Sequence, residues 1–345
     1  MTPPVIGFDL GHSACKLTFD TADGVRRMLF PSVACPAHPI SSPTEAERAK
    51  AETVFVGGRD WFVGETARHQ GKAATASGLN DRWVESEEFA ALVALAKRRI
   101  ESVGIKGQQF WIVGLPVGAY VPHRDAVGTL MTSILGEEAR VLVVQQPDAA
   151  YFAHTYTRQG GVRPGVNPMG QSWAVVDVGY FTTDFVLYEN GRYIESCSGR
   201  YEGVRVVAEN VMRALETKGI KRQLIDIERS LVQGTIRHMG EEIDISKEIE
   251  SAFAQLFSNI FDQASRLLGD RVELLSGVLV AGGPAAALAA KMKAVWSHTR
   301  VVSDEHQEEG AALHGPRFVI SEGYYRYGKV KQYLENMNAT LASAG

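Results

Sequence analysis

The chain has 345 residues, of which 45% are hydrophobic and 22% charged, and a formal net charge of −4. That composition excludes a disordered or fibrous chain, and the length favours two lobes, each with its own core. The basic residues are scattered, with no Lys/Arg-rich run, which argues against direct nucleic-acid binding through charge.

Cys15, Cys35 and Cys197 are far apart and form no CxxC, so a reducing cytoplasm and no zinc cluster are expected. Met1 to Val5 lacks the basic start and apolar stretch of a signal peptide. No apolar run approaches the ~20 residues that span a bilayer, so no membrane partner is expected.

Val5-Ile-Gly-Phe-Asp9 reads as a short buried strand that ends in Asp-Leu-Gly. A second strand, Lys16 to Asp20, runs to a hairpin turn at Asp23-Gly24. Residues 31–80 are less regular, with a hairpin over Thr53 to Val63, and read as a small exposed insertion. From Glu87, residues Phe89, Leu92, Val93, Ala96 and Ile100 fall on one helical face. Phe110 to Pro116 is a buried strand, followed by a helix expected from about Pro122 to Leu135. Arg140 to Gln145 is another strand, and Pro147 opens the next helix. Strands alternating with helices imply an α/β layered fold. Gln159 to Gln171, rich in Gly and Pro, reads as a linker.

The pattern then restarts. Trp173-Ala-Val-Val-Asp177 is an apolar strand ending in Asp-Val-Gly, and the next strand closes on Asn190-Gly191. Aligning Asp9 with Asp177 sets Gly11 on Gly179 and Lys16 on Asp184, with the two hairpin turns one residue out of step. A repeat of about half the chain is the most informative feature of the sequence. Residues 203–217 read as a helix, and 218–270 as helix-rich, with Ser246 as an N-cap. Gly277 to Pro284 is a strand entering a glycine turn and a helix. The tail from Lys329 reads as a short amphipathic helix through Val330, Tyr333, Leu334 and Met337.

A tight turn starting at Gly11 aims backbone N–H groups into one concavity, which suits a phosphate. Asp9 at the strand end suits Mg²⁺ through water, because that ion sheds its hydration reluctantly. Lys16 has the reach for β- or γ-phosphate oxygens. A single Asp-x-Gly is more often an ordinary hairpin, but Asp177-Val-Gly-Tyr-Phe-Thr-Thr-Asp184 repeats the arrangement. Gly282-Gly283, between a strand and a helix, would let the backbone approach a base or ribose. No Gly-x-Gly-x-x-Gly follows the first strand, which removes a dinucleotide-binding reading.

In this order, these motifs resemble the superfamily of actins, sugar kinases and heat-shock chaperones, over nearly the whole chain. Phe62-Val-Gly-Glu-Thr-Ala67, Val113-Gly-Leu-Pro-Val-Gly118 and Phe318 to Gly328 look like the plasmid-segregation actins of the ParM/StbA type. The resemblance implies an α/β actin-like fold, a duplicated ribonuclease-H-like unit with two lobes around a nucleotide cleft. Lobe I would span 1–165 with its insertion at about 31–80. Lobe II would span 166–328 with a helical insertion at about 218–270, and 329–345 would be a tail.

The resemblance also implies metal-site aspartates at Asp9 and Asp177, and phosphate contacts from Gly11, His12, Ser13 and Lys16. Gly179, Tyr180, Phe181 and Thr182 would form the second phosphate loop. Gly203, Glu209, Gly282 and Gly283 would line the nucleoside. Gln146, with Gln145 as the neighbouring alternative, would position the attacking water, and Asp148 would lie near the metal. His12 and Tyr180-Phe181 depart from the family, which has small residues there. The cofactors would be ATP, or GTP, with Mg²⁺. A neutral Gln is no strong base, so hydrolysis would be slow.

The implied function is a filament-forming ATPase that joins copies of itself head to tail and moves plasmid DNA through a separate DNA-binding adaptor. A small-molecule kinase or a chaperone-like interaction protein of the same fold is the alternative. His69, His123, His154, His238, His298, His306 and His314 share no spacing and read as surface or satisfied side chains. The acidic run from Asp304 to Glu309 reads as a solvated loop.

Overall fold

A computed structural model of the chain describes residues 2–71, 83–302 and 315–344. His306, His314, the acidic run 304–309 and residues 72–80 of the expected insertion lie outside them. The chain divides into two compact units, Met1–Gly170 with Val302–Gly345, and Gln171–Val301.

The first unit opens with β1 (Val5–Leu10), β2 (Ala14–Thr21), β3 (Gly24–Pro31) and β4 (Ala34–Pro36). Then come α1 (Pro43–Lys50), β5 (Thr53–Val56), β6 (Arg59–Val63), α2 (Gly64–Gln70) and α3 (Glu87–Ser102). It continues through β7 (Gln109–Leu115), α4 (Val117–Leu135), β8 (Ala139–Gln145) and α5 (Asp148–Thr155). The main sheet has the order β3-β2-β1-β7-β8, and a small sheet has the order β4-β6-β5. β1, β7 and β8 run parallel, so Asp9 and Gln145 stand at the same carboxyl-terminal edge. Every residue of β1 is buried, as expected for a central strand covered on both faces.

Helix α4 begins at Val117, a turn before its expected start, and carries Pro122 inside it. As the sixth residue of the helix Pro122 has no N–H for the Gly118 carbonyl, yet the helix continues through it to Leu135, so the proline marks no boundary here. Helix α3 is capped by Ser86, whose Oγ accepts from the Phe89 N–H at 3.1 Å.

The second unit comprises β9 (Ser172–Val178), β10 (Thr182–Glu189), β11 (Arg192–Tyr193), β12 (Gly199–Glu202) and α6 (Arg205–Thr217). Next are α7 (Leu224–Gln233), β13 (Thr235–His238), β14 (Glu241–Asp244) and α8 (Ser246–Leu268). β15 (Gly277–Gly282), α9 (Ala285–Lys293) and β16 (Thr299–Val301) complete it. Its sheet runs β11-β10-β9-β15-β16, with β12 also on β10, and β9, β15 and β16 are parallel. The turn between β10 and β11 uses Asn190 and Gly191, both at positive φ (49° and 76°), as a two-residue hairpin requires. Ser246 is not the N-cap of α8. Ile245 holds that place, and the Asp244 carboxylate accepts the Ser246 N–H at 2.9 Å.

The last helix, α10 (Val319–Ala344), corrects the expected division. The segment from Val302 and residues 166–170 belong with the first unit, not with residues 171–301, and the tail from Lys329 lies within one long helix. Glycines let α10 lie directly on the sheet and on α5. A Cβ on Gly7 would fall 2.1 Å from the Ser321 carbonyl oxygen, and one on Gly323 would fall 1.8 Å from that of Ala149. Buried Glu322 accepts from Arg158 (2.7 Å), Arg326 (2.9 Å) and Arg27 (3.0 Å). Burial raises the Glu322 pKa, but the Arg158 hydrogen bond and the charges of Arg326, Arg158 and Arg27 outweigh it and hold it at about 2.

Candidate functional site: two phosphate loops

In the first unit, Asp9, the last but one residue of β1, stands opposite Lys16 on β2, and Lys16 Nζ donates to Asp9 Oδ2 at 2.7 Å. The loop between them, Gly11 to Ser13, is pinned by Ser32, the residue after β3. Ser32 Oγ donates to the Gly11 carbonyl, and the Ser32 N–H reaches the Ser13 carbonyl at 3.5 Å. Cys15 stands behind, its Sγ 3.3 Å from Ser32 Oγ, with burial pushing the thiol up to about 12. Because the Ser32 hydroxyl proton goes to Gly11, the protonated thiol donates to Ser32. In a trans peptide the C=O and the following N–H point in opposite directions. The His12 and Ala14 N–H groups are therefore turned away from Ser32.

The His12 ring lies 5.1 Å from that of Trp83, tilted by 39°. Burial lowers the His12 pKa to about 4, so near neutral pH it offers a neutral ring. Ser13 is exposed. At the same sheet edge, the Gln146 N–H donates to the Leu115 carbonyl at 2.7 Å, and Asp148 is the first residue of α5. The side-chain Oε1 of Gln145 is buried with no hydrogen-bond partner among the described residues.

The second unit builds the corresponding loop from Gly179 to Phe181. The residues after β12 pin it. Gly203 N–H donates to the Phe181 carbonyl (2.9 Å), Val204 N–H to that of Gly179 (3.1 Å) and Arg205 N–H to that of Tyr180 (2.8 Å). All three carbonyls face that segment, so the N–H groups of Tyr180, Phe181 and Thr182 point the other way. Three successive donors on one side can take the oxygens of an anion. Gly203 is required by this contact, since a Cβ there would lie 2.5 Å from the Tyr180 carbonyl oxygen.

Asp177 and Asp184, both buried, are direct partners across β9 and β10, and Thr182 Oγ1 donates to Asp184 Oδ2 at 2.9 Å. The Tyr180 hydroxyl donates to Glu228 on α7, and the Arg205 guanidinium lies 5.3 Å from the centre of the Phe181 ring.

Gly282 has φ of +99°, and a Cβ would sit 2.1 Å from the Val178 carbonyl oxygen, so packing alone demands glycine. Gly283 faces open space. Glu209 pairs with Arg205 at 2.8 Å and Arg213 at 3.8 Å along α6. The structure thus gathers Asp9, Gly11, His12, Ser13 and Lys16 in one unit, and Asp177, Gly179, Tyr180, Phe181, Thr182 and Gly203 in the other.

Among the described residues, no three His, Cys, Asp or Glu side chains form a metal-binding group. Mg²⁺ needs no such cage, because it keeps several waters and takes one or two carboxylates plus phosphate oxygens. Asp9 in the first unit and the Asp177–Asp184 pair in the second each offer a buried carboxylate of that kind. No described helix is long and apolar enough to cross a membrane. A cavity of about 970 Å³ lies beside α1 and α2, where Arg48 pairs with Glu45, Arg99 with Glu52, and Arg98 donates to the Thr53 carbonyl.

Sequence reading missed Ser32, Trp83 and Glu228. Ser32 was within reach, because it follows the third strand of its unit as Gly203 follows β12, and extending the repeat by one strand finds it. Trp83 and Glu228 touch their loops through tertiary contacts that no motif announces.

Comparison with known proteins supports a single family. Residues 7–147 match the family model described as the N-terminal domain of actin-like proteins. Residues 175–294 match the C-terminal domain of archaeal MreB-like actin homologues. No curated protein matches the chain.

Among solved structures, a ParM filament from Clostridium botulinum aligns at TM-score 0.71 and 19% identity, over 95% of this chain and 99% of that one. An archaeal actin homologue aligns at 0.67 and 16%, over 93% and 98%. MreB5 of Spiroplasma citri bound to ADP aligns at 0.65 and 17%, over 97% and 99%. These likenesses show the fold. With both family models describing actin homologues, one on each half, the chain belongs to the actin-like superfamily.

Proposed function

We propose that the chain is a Mg²⁺-dependent ATPase that assembles into filaments and moves DNA through a separate adaptor. One observation carries the nucleotide reading: each unit has a buried aspartate followed by a loop pinned through its carbonyls, with the N–H groups of His12 and Ala14 in one and of Tyr180, Phe181 and Thr182 in the other turned away from the pin. In this reading each loop takes phosphate oxygens of a bound nucleoside triphosphate, ATP or GTP. Asp9 and Asp177 would hold a Mg²⁺ ion through its water shell, and the ion would supply positive charge to the β- and γ-phosphates.

Lys16 leaves Asp9 for the phosphates, exchanging one anionic partner for another. The Gln146 carbonyl orients water without acting as a base, which gives a slow reaction timed to assembly. Gly203, Glu209, Gly282 and Gly283 border the nucleoside. Self-association draws support from the ParM filament, and nucleotide binding from ADP-bound MreB5. The DNA cargo rests only on the three ParM-like strings and the absence of a basic run.

Light scattering against protein concentration, with Mg-ATP, Mg-ADP and no nucleotide, tests the proposal. An ATP-dependent rise above a sharp critical concentration is the expected result. A flat trace with ATP still bound would favour a monomeric kinase or interaction protein.

A further inference from the structure

Both phosphate loops carry a bulky residue, and each reaches from its loop to the insertion of its own unit. In the first unit His12 packs on Trp83, and Trp83 packs on Phe89 at 5.0 Å. The Trp83 carbonyl accepts from Ser86 Oγ at 2.6 Å, and Ser86 caps α3. The next residue, Glu87, pairs with Arg59 and touches the Gly57 turn of the β5–β6 hairpin. In the second unit the Tyr180 hydroxyl holds Glu228 on α7, the helix that leads into the β13–β14 hairpin. The Tyr180 carbonyl is meanwhile fixed by Arg205, so the side chain swings only with its loop.

We propose that His12 and Tyr180 are positioning residues that transmit phosphate occupancy of each loop to the insertion beside it, through Trp83 and Glu228 respectively. The proposal rests on reading the loops as phosphate sites. A small residue at either position would leave its loop without a side chain to push on the neighbouring element. The bulk at position 12 is supported on one side by an aromatic ring, and the bulk at position 180 ends in a charge-assisted hydrogen bond. A shift of either loop around an anion therefore has a stiff route outward.

Hydrogen exchange on monomeric protein, below any assembly threshold, with and without the Mg²⁺ complex of a non-hydrolysable ATP analogue, tests this. In the wild type, nucleotide is expected to slow exchange at least threefold in both hairpins, residues 53–63 and 235–244. Trp83→Leu should remove the effect at 53–63 and keep it at 235–244, and Glu228→Ala should do the reverse. Both should bind nucleotide within about threefold of wild type, because neither residue lies in its loop. Trp83→Phe and Glu228→Gln should restore at least half of the lost response, which a merely folded scaffold would not do.

Loss of both responses in either variant, or of neither, would overturn the coupling. Wild-type protein that binds the analogue without any change in exchange would also overturn the coupling while leaving the nucleotide site standing. Wild-type protein that fails to bind it would overturn both.

Discussion

Asp177 faces Asp184 across β9 and β10 at the register position where Asp9 faces Lys16 in the first unit. The repeat therefore pairs its opening aspartate with a cation in one copy and with a second carboxylate in the other. Removing the carboxylate of the second copy should remove the metal. Asp177→Ala is expected to abolish Mg²⁺-dependent phosphate release, and turnover at the wild-type rate would place the metal elsewhere.

Lys16 has a structural duty besides any phosphate contact. It is the partner of a carboxylate only 4% exposed. Lys16→Ala leaves that charge buried alone, which costs about 3 kcal/mol. Urea unfolding of the nucleotide-free protein should show the loss, and an unchanged midpoint would mean that water already satisfies Asp9.

The two glutamines separate by kinetics. Gln146→Ala is expected to keep nucleotide affinity and slow single-turnover hydrolysis roughly tenfold or more, as loss of a water-orienting contact does. The orphaned Oε1 of Gln145 gives a competing candidate. If Gln145→Ala shows the slow phase and Gln146→Ala does not, the role belongs to Gln145.

Glu322 gives the first unit an acid-sensitive joint. Its carboxyl titrates near 2 when folded and near 4.5 in its ordinary state, so its contribution is complete above 4.5 and is lost as pH falls toward 2. The shift corresponds to about 3 kcal/mol. Urea midpoints followed from pH 6 to pH 2.5 should fall through this window. Glu322→Gln should flatten that part of the profile and lower stability at neutral pH by about 3 kcal/mol, since three arginines would then share no anion. A profile with the wild-type slope would assign the acid sensitivity to other carboxylates.

Gly323→Ala tests the seat of α10. The new methyl would meet the Ala149 carbonyl, which is backbone and has no rotamer to yield. Thermal unfolding should reveal a loss of about 3 kcal/mol, at the upper end of overpacking costs. A loss below 1 kcal/mol would show that α10 slides freely on α5.

Much of the fold was legible because its central strands are continuous apolar runs cut by Asp-x-Gly, and this signal occurs twice. The repeat located Asp9, Asp177 and both loops without any tertiary information. Polar strands were silent: β13 and β14, Thr-Ile-Arg-His and Glu-Glu-Ile-Asp, are too short and charged for alternation to stand out.

Pro122 misplaced the start of α4, because a proline inside the early turns of a helix reads like one at its first position. The ParM-like string from Phe318 to Gly328 was visible, but its spatial partners were not. Gly323 answers to Ala149 and Gly328 to Val5 and Ile112, residues far away in sequence. The contacts of Trp83 with His12 and of Glu228 with Tyr180 were hidden for the same reason.

The return of α10 to the first unit also sets an order of events at the ribosome. Residues 171–301 emerge as one uninterrupted stretch and contain everything their sheet needs. The first unit, begun earlier, must wait for its last piece. Until α10 is synthesised, the face of β1 at Gly7, which that helix covers, stands bare. The nascent chain thus carries an unfinished half past a finished one, and the interval in which it is prone to aggregation is set by translation speed.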